Sequence, residues 1–141
     1  MKTILVAIDG SDASVKALTT AIQEAKAWEG SLYAVYVIEK GGLEDIPVDA
    51  NQELLYAAFE KAGNTVLSKA KRLAAESDVE ITTEIRFGHA GNEILKMAEE
   101  IGADSIVLGS HGRSGIESLL LGSVSSHVVR HSTVTTMVVR S

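Results

Sequence analysis

Ile4-Leu5-Val6-Ala7-Ile8-Asp9-Gly10-Ser11-Asp12 is the stretch that decides the fold. An unbroken apolar run with no polar alternation reads as a strand buried on both faces, and the polar turn after it offers Ser11 or Asp12 as a helix N-cap. Ala17, Leu18, Ala21, Ile22 and Ala25 then recur at helical spacing as far as Gly30, the expected stop, and a second apolar run extends from Leu32 to Ile38. Strands apolar on both sides belong to sheets covered on both faces by helices. Two of them joined by a helix form a right-handed parallel crossover.

The pattern continues outward from this unit. After a connection from Glu39 to Asn51, a long helix carries Leu54, Leu55, Ala58, Phe59, Ala62, Val66, Leu67, Ala70 and Leu73 as its apolar stripe, with Gly63-Asn64 as an expected weak point. Val79, Ile81, Thr83, Ile85 and Phe87 alternate with Glu80, Thr82, Glu84 and Arg86, a period of two that leaves one face wet and places this strand near a sheet edge. A third helix bears Ile94, Leu95, Ala98 and Ile101 and stops at Gly102, ahead of a buried strand from Ser105 to Leu108. A last helix opens near Gly122-Ser123 and carries Val124, Val128 and Val129, and Val134 to Val139 forms the fifth strand. The order βαβαβαβαβ predicts one α/β domain over residues 1–141: a doubly wound, Rossmann-like, five-stranded parallel sheet of order 3-2-1-4-5 with helices on both faces.

A chain of 141 residues can bury a full core without staples. Its formal charge of −6, with no dense Lys/Arg face, argues against a nucleic-acid grip. Cysteine is absent, which excludes disulfides, thiolate zinc sites and cysteine nucleophiles. The apolar run after Met1-Lys2-Thr3 is too short for a signal-peptide core or a membrane span, so no membrane insertion is expected and the cytoplasm is the default location.

In open parallel sheets ligands sit beyond the carboxyl ends of the strands. Four loops qualify: Asp9 to Ser11, Val37 to Lys40, Gly88 to Ala90, and Gly109 to Ser123. The last reads Gly109-Ser110-His111-Gly112, continues through Arg113, Ser114 and Gly115, and ends at Gly122-Ser123. Glycines let backbone N–H groups approach an anion, and Gly122-Ser123 opens a helix whose positive pole favours phosphate. The chain contains neither a G-x-x-x-x-G-K-[ST] phosphate loop nor a G-x-G-x-x-G dinucleotide fingerprint after the first strand. Taken by itself, the glycine loop serves tight turns and a helix cap equally well.

The complete spacing, G-x-x-G, nine residues, then Gly122-Ser123 extended by Val124-Ser125, resembles the nucleotide-binding signature of the universal stress protein family. The resemblance extends to Ile4 to Ser11 and to Ala103-Asp104 through Gly115, and covers nearly the whole chain. Because every loop position is kept, it implies the ATP-binding subgroup and a nucleotide-dependent regulator or sensor in stress response, with AMP or ADP as alternative ligands. By the same resemblance Asp9 matches the acidic residue near the ribose, beside Gly10 and Ser11, and Val37 the residue whose backbone meets adenine. Gly109 and Gly112 match the loop glycines beside ribose and phosphates, and Gly122, Ser123 and Val124 the segment that holds the phosphate tail. Of the loop side chains Ser110, His111, Arg113 and Ser114, Arg113 suits phosphate best, a solvated loop arginine being the equal alternative, and Mg held by phosphate oxygens and Asp9 can accompany the nucleotide.

Other chemistry finds little support. His127 and His131 form an i, i+4 pair without the intervening glutamate of a zinc hydrolase, and are expected to pack or cap the last helix, while His89 and His111 are candidates to face ligand. No G-x-S-x-G elbow occurs, so no catalytic residue is assigned and at most slow ATP hydrolysis is expected. Where the family pattern has prolines, this chain reads Ser132-Thr133-Val134-Thr135-Thr136, which leaves the start of the fifth strand open. That strand's apolar edge, Val134 to Val139, predicts a homodimer alongside an unknown protein partner; a nucleotide-free dimeric interaction module is the rival reading.

Overall fold

The computed structural model describes residues 2–39, 50–110 and 121–140, apart from the side chains of 50 and 51. Nine elements follow in order among them: β1 (Thr3–Ala7), α1 (Asp12–Trp28), β2 (Ser31–Ile38), α2 (Ala50–Glu76), β3 (Ile81–Phe87), α3 (Ala90–Ile101), β4 (Ser105–Gly109), α4 (Ser123–His131) and β5 (Thr135–Val139). The strands form one parallel sheet in the order β3-β2-β1-β4-β5, as the crossover argument predicts. Each central strand is apolar on both sides because both faces are covered. Ile4 and Val6 of β1 join Leu32, Ala34 and Tyr36 of β2 under α1 and α2, while Leu5, Val35, Ile106 and Leu108 pack with α3 and α4.

Helix α1 begins where its cap places it: the Ser11 hydroxyl accepts from Ser14 N–H at 3.2 Å, and Asp12 lies at the positive end. Its other end differs from expectation. Glu29, not Gly30, takes the left-handed conformation with φ 50°. Gly30 is small for a different reason: a β-carbon there would lie 2.5 Å from the Lys2 carbonyl, which accepts from Ser31 N–H at 2.8 Å.

Helix α2 also departs from the expected stripe. Phe59, Val66, Leu67, Ala70 and Leu73 do face the sheet, but Leu54 is 69% exposed, and Leu55, Ala58 and Ala62 point outward as well. The buried line passes through Gly63, which is not a weak point but a contact: a β-carbon there would stand 2.8 Å from Tyr36 Cδ1 and 3.2 Å from Ile85 Cδ1. The apolar residues outnumber those one face can hold, so the pattern alone does not select the phase.

Strand β3 lies at the edge, as its alternation requires, with Thr82 and Glu84 exposed. Arg86, expected on the wet face, is instead largely covered by partners, since it pairs with Glu84 and Glu100 and lies 3.7 Å from Glu93. Hydrogen bonding from Arg86 holds the Glu100 carboxyl below its usual range, and the network ties β3 to α3.

Gly63→Ala weighs two effects against each other. Alanine improves helix propensity by about 1 kcal/mol, but forcing a methyl against the buried Tyr36 ring costs about 1–3 kcal/mol. The expected outcome in urea denaturation is a net loss of about 1–2 kcal/mol at unchanged slope. A stabilised variant would show that Tyr36 does not confine this position.

Candidate functional site

A parallel sheet brings every strand's carboxyl end to one edge, and between β1, β2 and β4 that edge opens into a cleft of about 490 Å³. Asp9, Val37, Gly109, Gly122, Ser123 and Val124 all line it, so residues scattered over more than a hundred positions converge there. Gly112 and Arg113 lie outside the described residues, as do His111 and Ser114. Gly10 and Ser11 turn elsewhere. Gly10, at φ 87°, lines a different hollow between α1 and α2, and the Ser11 hydroxyl is occupied in capping α1.

Each wall of the cleft has its own cause. Asp9 Oδ1 accepts from Ser11 N–H at 2.9 Å, so Asp9 forms the turn and lines the cleft at once. The Val35 carbonyl accepts from Ile8 N–H on the β1 side at 3.0 Å, and the Ile38 carbonyl accepts from Gly88 N–H on the β3 side at 3.0 Å. Backbone groups alternate sides along a strand, so Val37 directs its own toward β1, beyond that strand's end at Ala7. Gly109 must lack a side chain because a β-carbon would fall 2.8 Å from the Ala13 methyl and 2.9 Å from the Ala13 carbonyl carbon, pushing α1 off the sheet.

The start of α4 is fastened to the end of β4. Gly122 N–H donates to the Ser110 carbonyl at 2.7 Å, and the buried Ser125 hydroxyl donates to the same carbonyl at 2.7 Å. Ser110 N–H in turn donates to the Val139 carbonyl at 2.9 Å. Gly122 is the N-cap of α4 and brings no side-chain cap, so the positive pole presented to the cleft consists of the first-turn amides of Ser123 and Val124 rather than that of Gly122. Among the described lining residues the charged groups are two carboxylates, Asp9 and Glu39, with no cation.

Sequence reasoning did not single out Glu39, although it falls within the loop after β2; its Oε1 accepts from Ala90 N–H at 3.3 Å, at the start of α3. Phe59 reaches the cleft from α2 and was hidden by the phase ambiguity of that helix. His89 does not line the cleft: its Nδ1 caps α3, accepting from Asn92 N–H at 3.2 Å. His127 packs as expected, with Nε2 2.8 Å from Asn92 Oδ1 and its ring between His89 and His131, centroids 4.9 and 4.5 Å away. Loss of water, then the charges of His131 and His89, push the His127 pKa down. Among the described residues no group of three His, Asp or Glu side chains is placed to hold a metal ion.

Fold and cleft together define a doubly wound α/β protein whose strand-end crevice has largely apolar walls, a carboxylate at Asp9 and a helix N-terminus as its positive wall. Residues 1–140 match the model of the universal stress protein family. A universal stress protein of Methanocaldococcus jannaschii is 37% identical over 139 residues, which cover 99% of this chain and 82% of the relative. The solved universal stress protein UspA from Lactobacillus plantarum aligns with a TM-score of 0.91 at 28% identity, over 99% of this chain and 97% of that one. A universal stress protein crystallised in complex with cAMP gives a TM-score of 0.74 at 28% identity, over 98% and 96% of the two chains. The chain belongs to the universal stress protein family. Among the described residues no helix is long and apolar enough to cross a membrane.

The Ser125 hydroxyl is the removable part of the β4–α4 clamp. Ser125→Ala leaves the Ser110 carbonyl with Gly122 N–H as its donor, so thermal denaturation is expected to show a loss of about 1 kcal/mol without unfolding. An unchanged melting temperature would mean that Gly122 alone secures the junction.

Proposed function

We propose that this universal stress protein binds ATP at the strand-end cleft and acts as a nucleotide-dependent regulator in stress response. The observation that carries the reading is the cleft itself: a carboxylate on the β1 turn, a strand edge at Val37 and the amides of Ser123 and Val124 surround one volume large enough for a nucleotide. The solved relative bound to cAMP supports an adenine nucleotide in this fold, and ADP, AMP or a cyclic nucleotide are the competing ligands.

In this reading Asp9 accepts from ribose hydroxyls, with Gly10 and Ser11 shaping its turn, and the Val37 backbone meets the adenine edge. Gly109 and Gly112 border ribose and phosphates, Arg113 pairs with phosphate, and Ser123 and Val124 hold the phosphate tail with Gly122 orienting them. Asp9 and Glu39 without a neighbouring described cation suit a nucleotide accompanied by Mg, which would neutralise phosphate charge; Asp9 is the residue to hold it. The two described carboxylates of the cleft, Asp9 and Glu39, each already accept a backbone N–H, so the reading takes binding rather than turnover as the signal, with slow hydrolysis at most. The protein then works in the cytoplasm, where this nucleotide is made, and passes its state to a protein partner.

Calorimetry with MgATP tests the site. Wild type is expected to bind, and Gly122→Val with Ser123→Ala to weaken binding roughly tenfold or more, equivalent to about 1.4 kcal/mol. Equal affinity in the double variant rejects the site, and a wild type that binds no nucleotide favours the nucleotide-free module.

A second element of the reading is a symmetric homodimer through β5, from the approach at Val134 to Val139. This strand is an edge among the described residues, and the Val139 carbonyl faces β4, so by alternation the backbone of Thr136 and Val138 faces outward. Thr136→Pro removes one outward N–H and leaves the β4 ladder intact. Sedimentation should show a dimeric wild type and a monomeric variant; a wild type that stays monomeric at high concentration refutes the dimer.

A further inference from the structure

A second hollow, larger than the strand-end cleft, is a trough of about 900 Å³ between α1 and α2. Its floor is apolar, built from Leu18 of α1 and Val66 and Leu73 of α2. The α2 wall runs from Ala57 to Leu73, roughly 24 Å at the rise of an α-helix. Along that wall stand Lys61, Lys69 and Arg72, all exposed, against one lining carboxylate, Glu60. None of the three cations enters an ion pair among the described residues, where Arg86 takes every salt bridge.

A chain of formal charge −6 therefore presents three unpaired cations in a row beside an apolar trough. A compact anion would engage one or two of them and leave the floor uncovered. A long occupant with carboxylates spaced along one side and apolar residues on the other satisfies both the charges and the floor. We propose that the α1–α2 trough is a docking site for an acidic amphipathic helix of a partner protein, its apolar face on Leu18, Val66 and Leu73 and its carboxylates toward Lys61, Lys69 and Arg72. The docked helix touches Gly10, on the opposite side of the β1 turn from the face that Asp9 presents to the strand-end cleft.

The test uses the full chain without nucleotide, so its outcome is independent of the ATP reading. Fluorescence anisotropy follows a designed helical peptide of about 18 residues, with a leucine face flanked by glutamates, and a second peptide with lysine at every glutamate position. The acidic peptide is expected to bind at least roughly tenfold tighter than the basic one. The variant Lys61→Gln, Lys69→Gln, Arg72→Gln alters exposed side chains only and should lose roughly tenfold or more of that affinity. Amide chemical-shift changes should centre on α1 and α2. Absence of binding, equal binding of the two peptides, an unaffected triple variant, or shifts centred on β5 would each overturn the proposal. So would displacement of the acidic peptide by dodecanoate with the same dependence on all three cations, which would make a single-headed amphiphile the occupant.

Discussion

The Ser110 carbonyl accepts from Gly122 N–H and from the Ser125 hydroxyl, each at 2.7 Å, and the arrangement of the site follows from that shared acceptor. It joins the end of β4 to the start of α4. Because Ser110 N–H also donates to the Val139 carbonyl, the same residue registers β5. A helix N-terminus favours an anion by up to about 2 kcal/mol when partly buried, an effect that fades within one turn. Such a short-ranged field is useful only if the helix start is held in place, and the buried Ser125 hydroxyl and the Gly122 amide do the holding.

Close approach is the second constraint. Gly109 sits so near Ala13 that the first turn of α1 and the end of β4 have no room for a side chain between them. The small buried residues of α1, namely Ala13, Ser14, Ala17, Ala21 and Ala25, let the helix lie low on the sheet along its length. The β1–β4 register, with Val6 opposite Val107, then sets the Asp9 turn beside the end of β4. Glycine at 109 is therefore required by packing before any ligand is considered, and its place in the cleft lining follows from the same geometry.

Much of this was legible in the residues. The apolar runs of β1, β2 and β4 announce strands covered on both faces, and the alternation of β3 announces an edge, because a strand's burial is written at a period of two. Gly102 was readable as a helix stop and adopts φ 64° there. Glycines selected by contact were not readable: Gly30 is set by the Lys2 carbonyl and Gly63 by the Tyr36 ring, neighbours that only the folded chain supplies. The phase of α2 was hidden for a related reason, since Leu54 and Leu55 are as apolar as the residues that do face the sheet. In the site, Asp9, Val37 and the start of α4 were legible from the rule of strand ends, whereas Phe59 and the Ala90 contact of Glu39 depend on packing between elements distant in sequence.

The turn from Asp9 to Ser11 separates two hollows of different chemistry. Ile8 lines both, Asp9 faces the strand-end cleft, and Gly10 faces the α1–α2 trough with a β-carbon position only 3.3 Å from Val66. The positive φ of Gly10 makes this reversal possible, for a side chain there would be strained and would press on α2. Gly10 is thus the point at which the β1 turn meets α2, and the Asp9 carboxylate is bound to the same turn through Ser11 N–H. On the proposed reading a nucleotide in the cleft and a helix in the trough lie on either side of one hydrogen-bonded turn, and whatever coupling that turn carries is, by linkage, the same in both directions.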